Sequence, residues 1–411
     1  MFDQSFTYRT LAHNIKKYDI FKYPDLRNED TKRALIDKAV IFSETSQFWP
    51  EHISTRVIKG NTVYKVNNFY QELILRKCNE NIKKNFKFNV IDRDRVVSQL
   101  ISLLKEQISF SIYRLDIFKF YESICKVDIN NILDSKMSVN YRTRNTINNF
   151  LTTYKNIGGT GVPRGIELSA TLSELIMKDF DNYLERHDNV FYYARFVDDI
   201  IIITDSNENN QFIQNIESKL PQGLEFNTSK DKKYKAKIPK GKLDKEKKFS
   251  YLGYSFILEK CTKYDIKNDR KIKIDISKNK TEKIKTRLNK SFANFEINGD
   301  KKLLLDRVKL LTSNYSLLDK KKNLEVMSGI YYNYKRVNHN TSESLLELDL
   351  HLKKLINSNI KFTKNGTHKV SSKQKVSLLK YSFYNGFKHK IKVNFTPSRQ
   401  NKLQRTWKDD K

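Results

Sequence analysis

Apolar and polar positions change their period several times along the chain, and each change marks an element. Over residues 69–88, FYQELILRKCNENIKKNFKF, Leu73, Leu75, Ile82 and Phe86 stand among Arg76, Lys77, Lys83 and Lys84. That pattern predicts a helix with one basic face, either a solvated surface or a nucleic-acid contact. Residues 92–107 repeat Val96, Val97, Leu100, Ile101 and Leu104 at helical spacing behind Asp92, a natural N-cap. Three runs rich in β-branched and aromatic residues predict strands: FSIYRLDIF, VFYYARFV and DIIIIT. Between the first two lies the helical segment LSATLSELIMKDFDNYLERH, entered through a glycine-rich turn. Strand, helices, strand, strand is the order of an α+β unit.

Residues 230–248, KDKKYKAKIPKGKLDKEKK, are almost a lysine tract and are expected to form an exposed loop or extended hairpin. Amphipathic helices follow beyond residue 280, and the chain ends in a basic segment containing Trp407. With only 12 glycines and 6 prolines there is little punctuation, so motifs must place the domain boundaries.

Charge changes the picture most. Lys and Arg number 78 against 47 acidic residues, a formal net charge of +31, which points to a large polyanion as partner. The 38% hydrophobic content suits a globular chain of two or three packed units. No apolar run is long enough for a membrane span, and the N-terminus lacks a signal-peptide core, so a cytoplasmic protein without membrane contact is expected. The three cysteines and seven histidines show no ligand spacing, which argues against a His/Cys metal-dependent nuclease.

The candidate chemistry sits on the predicted strands. In YYARFVDDIIIIT, Asp198 and Asp199 fall between two strand-forming runs, where a hairpin would carry both carboxylates to its tip. In YRLDIFKFYESI, Asp116 closes an apolar strand, and a charge there needs a reason. Carboxylates from a strand and a neighbouring hairpin can jointly hold two Mg²⁺ ions (or Mn²⁺), the arrangement that phosphoryl transfer uses. In GGTGVPRGIELSATLSELIM, four glycines surround Pro163 and Arg164 just before a helix, a place where backbone can approach an anion and Arg164 can add charge.

Together, and in this order, these segments resemble the core blocks of reverse transcriptases. Asp116, Phe120 and Tyr121 meet the block Asp-x-x-x-aromatic-aromatic; Gly161, Pro163, Gly165 and Ser169 meet Gly-x-Pro-x-Gly-x-x-x-Ser; Phe196, Asp198 and Asp199 meet aromatic-x-Asp-Asp. GLEFNTSK is similar to a later block that would set Lys230 beside the triphosphate, and FSYLGYSF to the hairpin that grips the primer. The resemblance spans residues from about 70 to 257. It implies a right-hand polymerase of α+β class, with an antiparallel palm sheet and a helical basic thumb. The segments would be 1–110 for the N-terminal region and fingers, 111–260 for the palm with a fingers insertion, and 261–411 for the thumb and basic C-terminal segment. Asp116, Asp198 and Asp199 would be catalytic; with the backbone of Ile117 they would bind the metal. Tyr121, Phe120, Arg164, Gly165, Phe196 and Lys230 would contact substrate. Two departures stand out: Phe196 replaces the family's usual Tyr, and Arg164 its usual Gln. Tyr121 would crowd a ribose 2′-hydroxyl, favouring dNTPs, while strand alternation turns Phe120 toward the core.

Among reverse transcriptases, the blocks resemble bacterial defence-associated enzymes, closest to the shorter enzyme of the type 3 antiphage systems that encode two reverse transcriptases. That resemblance implies an RNA template or noncoding RNA, a DNA product and a second reverse transcriptase as partner, with the oligomeric state open. Template-independent or protein-primed DNA synthesis in abortive infection is a second enzymatic reading. A catalytically idle RNA-binding scaffold is a reading of another class.

Overall fold

The computed structural model describes the chain except residues 1, 59, 87, 89–91, 136–138, 209–210, 262–268, 320–323, 359–361, 364–365 and 409–411. It folds as two compact units, Met1–Ile91 with Ser109–Ile238, and Asp92–Ile108 with Pro239–Lys411. The helix Arg93–Lys105 thus belongs with the C-terminal half, although it precedes Asp116 in sequence.

In the first unit, β1 (Ile53–Ile58) and β2 (Asn61–Val66) form a hairpin. Four further strands make an antiparallel sheet: β3 (Phe110–Asp116), β4 (Val190–Phe196), β5 (Asp199–Asp205) and β6 (Tyr234–Ile238), ordered β4-β5-β3-β6. The two central strands read as nearly continuous apolar runs because both their faces are covered; Ile112, Tyr113 and Leu115 on β3 and Ile200–Ile203 on β5 are all buried. One face packs on the helix Glu167–Glu185 through Leu172, Leu175, Ile176 and Phe180, and on Phe212, whose ring stands 5.2 Å from that of Tyr113.

β6 corrects the expectation for the lysine tract. Residues 234–238, YKAKI, alternate, with Ala236 and Ile238 buried and Lys235 and Lys237 exposed, so this stretch is an edge strand paired to β3. Lysines suit an edge because they discourage pairing with a further strand.

The basic helix meets the solvated-surface expectation only in part, at the exposed Lys83 and Lys84. It spans Phe69–Phe86, but its cations turn to acids of the same chain. Arg76 grips the buried Asp19 at 2.6 and 2.9 Å, and Lys77, 2% exposed, meets Glu80 at 3.1 Å. Lys84 meets Glu80 at 2.5 Å and Lys83 meets Glu167 at 3.2 Å. Burial pushes the Glu80 and Glu167 carboxyls up, but Lys84, Asn14 and Lys77 at Glu80, and Lys16 and Lys83 at Glu167, outweigh it and hold both down at about 2. Carboxylates depressed in the folded state stabilise it above their unfolded pKa of about 4.3, and that contribution is lost as pH falls toward 2. Urea unfolding of the wild type is therefore expected to weaken between about pH 4.5 and 2 by roughly 1–2 kcal/mol per carboxylate after solvent screening. Glu80→Gln/Glu167→Gln should be weaker at neutral pH and lose that part of the slope.

The second unit holds a three-stranded sheet of β7 (Lys247–Tyr251), β8 (Tyr254–Leu258) and β9 (Ile272–Ile276), whose first hairpin turns at Leu252 and Gly253 with φ of 47° and 81°. Asp92 caps the helix Arg93–Lys105 as expected, and Arg93 donates to the Leu252 carbonyl at 2.6 and 2.9 Å, fixing the turn. The long helices Lys278–Asn298, Lys301–Thr312 and Glu343–Asn357 follow, with the hairpin β10 (Asn314–Asp319) and β11 (Leu324–Gly329) between the second and third. The last helix, Pro397–Lys408, docks through Leu403 and Trp407 onto Leu303 and Leu310. Charge divides unevenly: this unit has 45 Lys/Arg and 20 Asp/Glu, a net of +25, leaving +6 to the other. Among the described residues no helix is long and apolar enough to cross a membrane.

Candidate active site

Asp116 is the last residue of β3 and stands in register with Asp199, the first residue of β5. Asp198 lies one residue earlier in the β4–β5 turn, where its carbonyl accepts from the Ile117 amide at 3.0 Å. Strand pairing alone therefore gathers the three acids at one end of the sheet. The turn is tight: Val197 adopts φ +63°, a conformation that a β-branched residue rarely holds.

Their surroundings differ. Asp116 is 5% exposed and accepts from Lys232 Nζ at 3.0 Å and Asn227 Nδ2 at 3.1 Å, while the Asn227 amide donates to the Asp116 carbonyl at 2.7 Å. Asp199 accepts from Arg114 Nη2 at 2.9 Å and Nε at 3.3 Å. Burial pushes the Asp198 carboxyl above its ordinary range; a backbone hydrogen bond opposes this, and the charges of Asp116 and Asp199 add to it. Burial works against the Lys232 ammonium, but its bond to Asp116 and the other two aspartates win and raise its pKa.

Among the described residues no three acid, imidazole or thiol groups already surround one point as a ready-made metal cage. Lys232 and Arg114 instead neutralise two of the acids. The donor set nonetheless suits a hard divalent cation, since it is all oxygen and burial, with the charges of Asp116 and Asp199 adding to it, drives up Asp198.

The other expected site residues fall into two groups. Tyr121 is partly exposed and senses the Asp198 charge, and Phe196, on β4 in register with Asp199, is 37% exposed. The Arg164 guanidinium lies 5.3 Å over the Tyr121 ring and is held by both oxygens of Glu122, the Nη2 contact being 2.9 Å. Its charge is thus satisfied within the chain rather than free for a phosphate. Gly161, at φ +66°, leaves no room for a side chain: a Cβ would stand 2.1 Å from the Tyr121 carbonyl. Gly165, at φ +97°, abuts the β1–β2 hairpin, where Tyr64 donates to the Arg164 carbonyl at 2.7 Å.

Phe120 and Lys230 do not join the site surface. Phe120 is 1% exposed and sits in the core, but on the short helix Phe120–Ser123 rather than on a strand, so alternation is not what buries it. Lys230 is exposed, and the lysine that reaches Asp116 is Lys232, two residues on. Sequence reasoning missed Lys232, Arg114 and Glu122. Arg114 had a readable signal, since residues two apart on a strand share a face, which sets it beside Asp116.

Residues 53–256 match the family described as reverse transcriptase (RNA-dependent DNA polymerase). The chain contains a reverse transcriptase domain, the nucleotidyltransferase domain of RNA-directed DNA polymerases, and its helices and antiparallel sheet have the α+β build of a right-hand polymerase. Among solved structures it is similar to apo telomerase from Candida tropicalis truncated from the C-terminal domain, at 14% identity over 55% of this chain and 55% of that one, with a TM-score of 0.32. It is also similar to telomerase from Candida albicans in complex with a TWJ fragment of telomeric RNA, at 12% identity over 81% of this chain and 53% of that one, with a TM-score of 0.32. The chain spans about half the length of these structures. No curated protein matches it.

Proposed function

We propose that this chain polymerises dNTPs on an RNA template and serves bacterial antiphage defence. The observation that carries the polymerase reading is the convergence of Asp116, Asp198 and Asp199 through the β3–β5 register inside a reverse transcriptase domain. The antiphage role, the associated noncoding RNA and a second reverse transcriptase as partner rest on the resemblance of the sequence blocks. In this reading the first unit supplies fingers and palm and the second the thumb.

Asp116, Asp198, Asp199 and the Ile117 carbonyl are the ligands assigned to Mg²⁺, which when bound acidifies the primer 3′-hydroxyl and neutralises the departing pyrophosphate. The 3′-hydroxyl gives its proton to solvent, its oxygen attacks the α-phosphorus, and the bond to the bridging oxygen breaks, releasing pyrophosphate. Asn227 and the β3–β5 pairing hold Asp116 in place for this, and the Tyr121 ring, with the Arg164 guanidinium over it, is the group assigned to crowd a ribose 2′-hydroxyl.

Lys232 competes with cations for Asp116. A partly exposed pair of this kind is worth up to about 1 kcal/mol, so Lys232→Met should lower the Mg²⁺ concentration for half-maximal primer extension by roughly 3–5-fold. An unchanged or higher requirement would assign Lys232 to the nucleotide instead.

The function itself is tested by purifying the chain, sequencing any bound nucleic acid, and measuring labelled dNTP incorporation with Mg²⁺ beside Asp198→Ala/Asp199→Ala. Carboxylate-dependent DNA synthesis on a co-purifying RNA supports the proposal. Synthesis insensitive to RNase favours untemplated or protein-primed polymerisation, and none at all, with candidate partners added, favours a scaffold.

A further inference from the structure

The second unit carries four-fifths of the net charge and none of the three acids, and one part of its surface combines that charge with aromatic rings. Ring centroids run in a connected series: Tyr332 to Tyr331 at 5.2 Å, Tyr331 to Phe387 at 5.3 Å, Phe387 to His339 at 6.4 Å, and His339 to Tyr384 at 5.8 Å. Phe387 is the buried hub, whereas the three tyrosines and His339 are partly exposed. Each tyrosine has a lysine over its face: Lys390 at 4.7 Å from Tyr331, Lys388 at 5.6 Å from Tyr384, and Lys335 at 5.7 Å from Tyr332.

The rings are set in a rigid mount. Asn314 is fully buried; its side-chain oxygen accepts from the Tyr331 amide at 2.9 Å, and its amide donates to the carbonyls of Gly386 at 3.2 Å and Ile391 at 3.1 Å. Its own backbone pairs with Ile391 and Val393 at 2.8 Å each. Gly386 lies so close that a Cβ there would stand 1.7 Å from the Thr312 carbonyl. One buried asparagine therefore ties the tyrosine-bearing turn to the lysine-bearing segment 386–393, which fixes rings and cations relative to each other before any ligand arrives.

We infer that this surface is a binding platform for single-stranded polynucleotide, independent of the polymerase reading. Unpaired bases can stack on the tyrosines, whereas the bases of a duplex are already stacked on one another. A lysine over an exposed ring strengthens an interaction by only about 2–5-fold. A base stacked on an aromatic side chain is worth about 5–150-fold. The base wins the ring, and the displaced ammonium remains within reach of the adjoining phosphate. RNA and DNA share this chemistry.

The test titrates the full-length chain by fluorescence anisotropy with labelled oligouridylate and oligothymidylate of about 15 nucleotides, and with a blunt duplex of equal length. Tyr332→Leu/Tyr384→Leu should weaken single-strand binding roughly 10–100-fold and change duplex binding by less than about 2-fold. Loss on one sugar only assigns the platform to that nucleic acid; loss on both assigns it to either. Lys388→Gln/Lys390→Gln should reduce the slope of log affinity against log salt by about 1.4 for single strands. Tyr332→Phe/Tyr384→Phe keeps the stacking faces and should bind like the wild type, which separates lost stacking from lost folding. Asp198→Asn should also bind normally, whatever its effect on synthesis. Single-strand affinity unchanged in the leucine variant, or reduced equally for duplex, overturns the proposal.

Discussion

Asp198→Asn is expected to reduce dNTP incorporation at least about 10³-fold, whereas Asp199→Asn should cost only about 10–10²-fold. The two acids are adjacent in sequence but not in electrostatic state. Asp199 is held by the Arg114 guanidinium through two contacts, so its charge is largely balanced before any metal binds. Asp198 is the acid that burial and its neighbours drive upward, leaving it the one with most to gain from a cation. The same repulsion predicts a second effect of opposite sign. Removing the Asp198 charge relieves Asp116 and Asp199, so Asp198→Asn should melt at the wild-type temperature or above it, as active-site charges commonly trade stability for function. Primer extension and thermal melting on the same preparations check both statements. Equal losses for the two variants would mean that Arg114 releases Asp199 during turnover.

Much of this site was legible because its logic is local. The apolar runs around Asp116 and after Asp199 carry the β-branched signature of central strands, and the Asp198–Asp199 turn lies between two such runs. Gly161 and Gly165 could be read as close-approach positions, and both carry positive φ against neighbouring backbone or side chain. What the sequence hid depends on partners far along the chain. Nothing near Arg76 announces Asp19, 57 residues away, and nothing near Arg164 announces Glu122, 42 residues away. Those pairings decide whether a cation meets a ligand or the protein itself. The lysine tract misled for a different reason. In YKAKI only alternate residues are apolar, and two of the three are as modest as Tyr234 and Ala236, so strand period was masked by charge. Both lysines lie in the turn that precedes this strand, and it is Lys232, two residues before Tyr234, that reaches Asp116 while Lys230 stays exposed.

Arg195 is where fold and site meet, and its removal should have the largest effect on stability. Its side chain is 2% exposed, and its guanidinium spends every arm: Asp181 at 2.7 and 2.8 Å, Glu174 at 2.7 and 3.2 Å, and the Val197 carbonyl at 3.0 Å. Tyr193 adds its hydroxyl to Asp181 at 2.5 Å. Burial opposes the Arg195 charge, but the two carboxylates outweigh it and raise its pKa, so it stays cationic at any working pH. Arg195→Met would strand Asp181 and Glu174 without a counter-charge, at a cost of about 3 kcal/mol, somewhat below a fully buried pair because both acids keep some solvent. Arg195→Lys keeps the charge but cannot span three acceptors from one planar fork, so it should lose less stability, about 1–2 kcal/mol. Its informative loss is elsewhere. Val197 is the strained residue immediately before Asp198, and the Arg195 bond to its carbonyl is what holds that turn in the left-handed region. At a temperature where Arg195→Lys remains folded, dNTP incorporation should therefore fall about 10-fold or more with little change in the KM for dNTP, since a displaced Asp198 impairs the reacting geometry rather than nucleotide capture. Urea unfolding and steady-state primer extension on the lysine variant separate the two effects. Wild-type turnover in a folded Arg195→Lys would show that the turn holds Asp198 without its buried arginine.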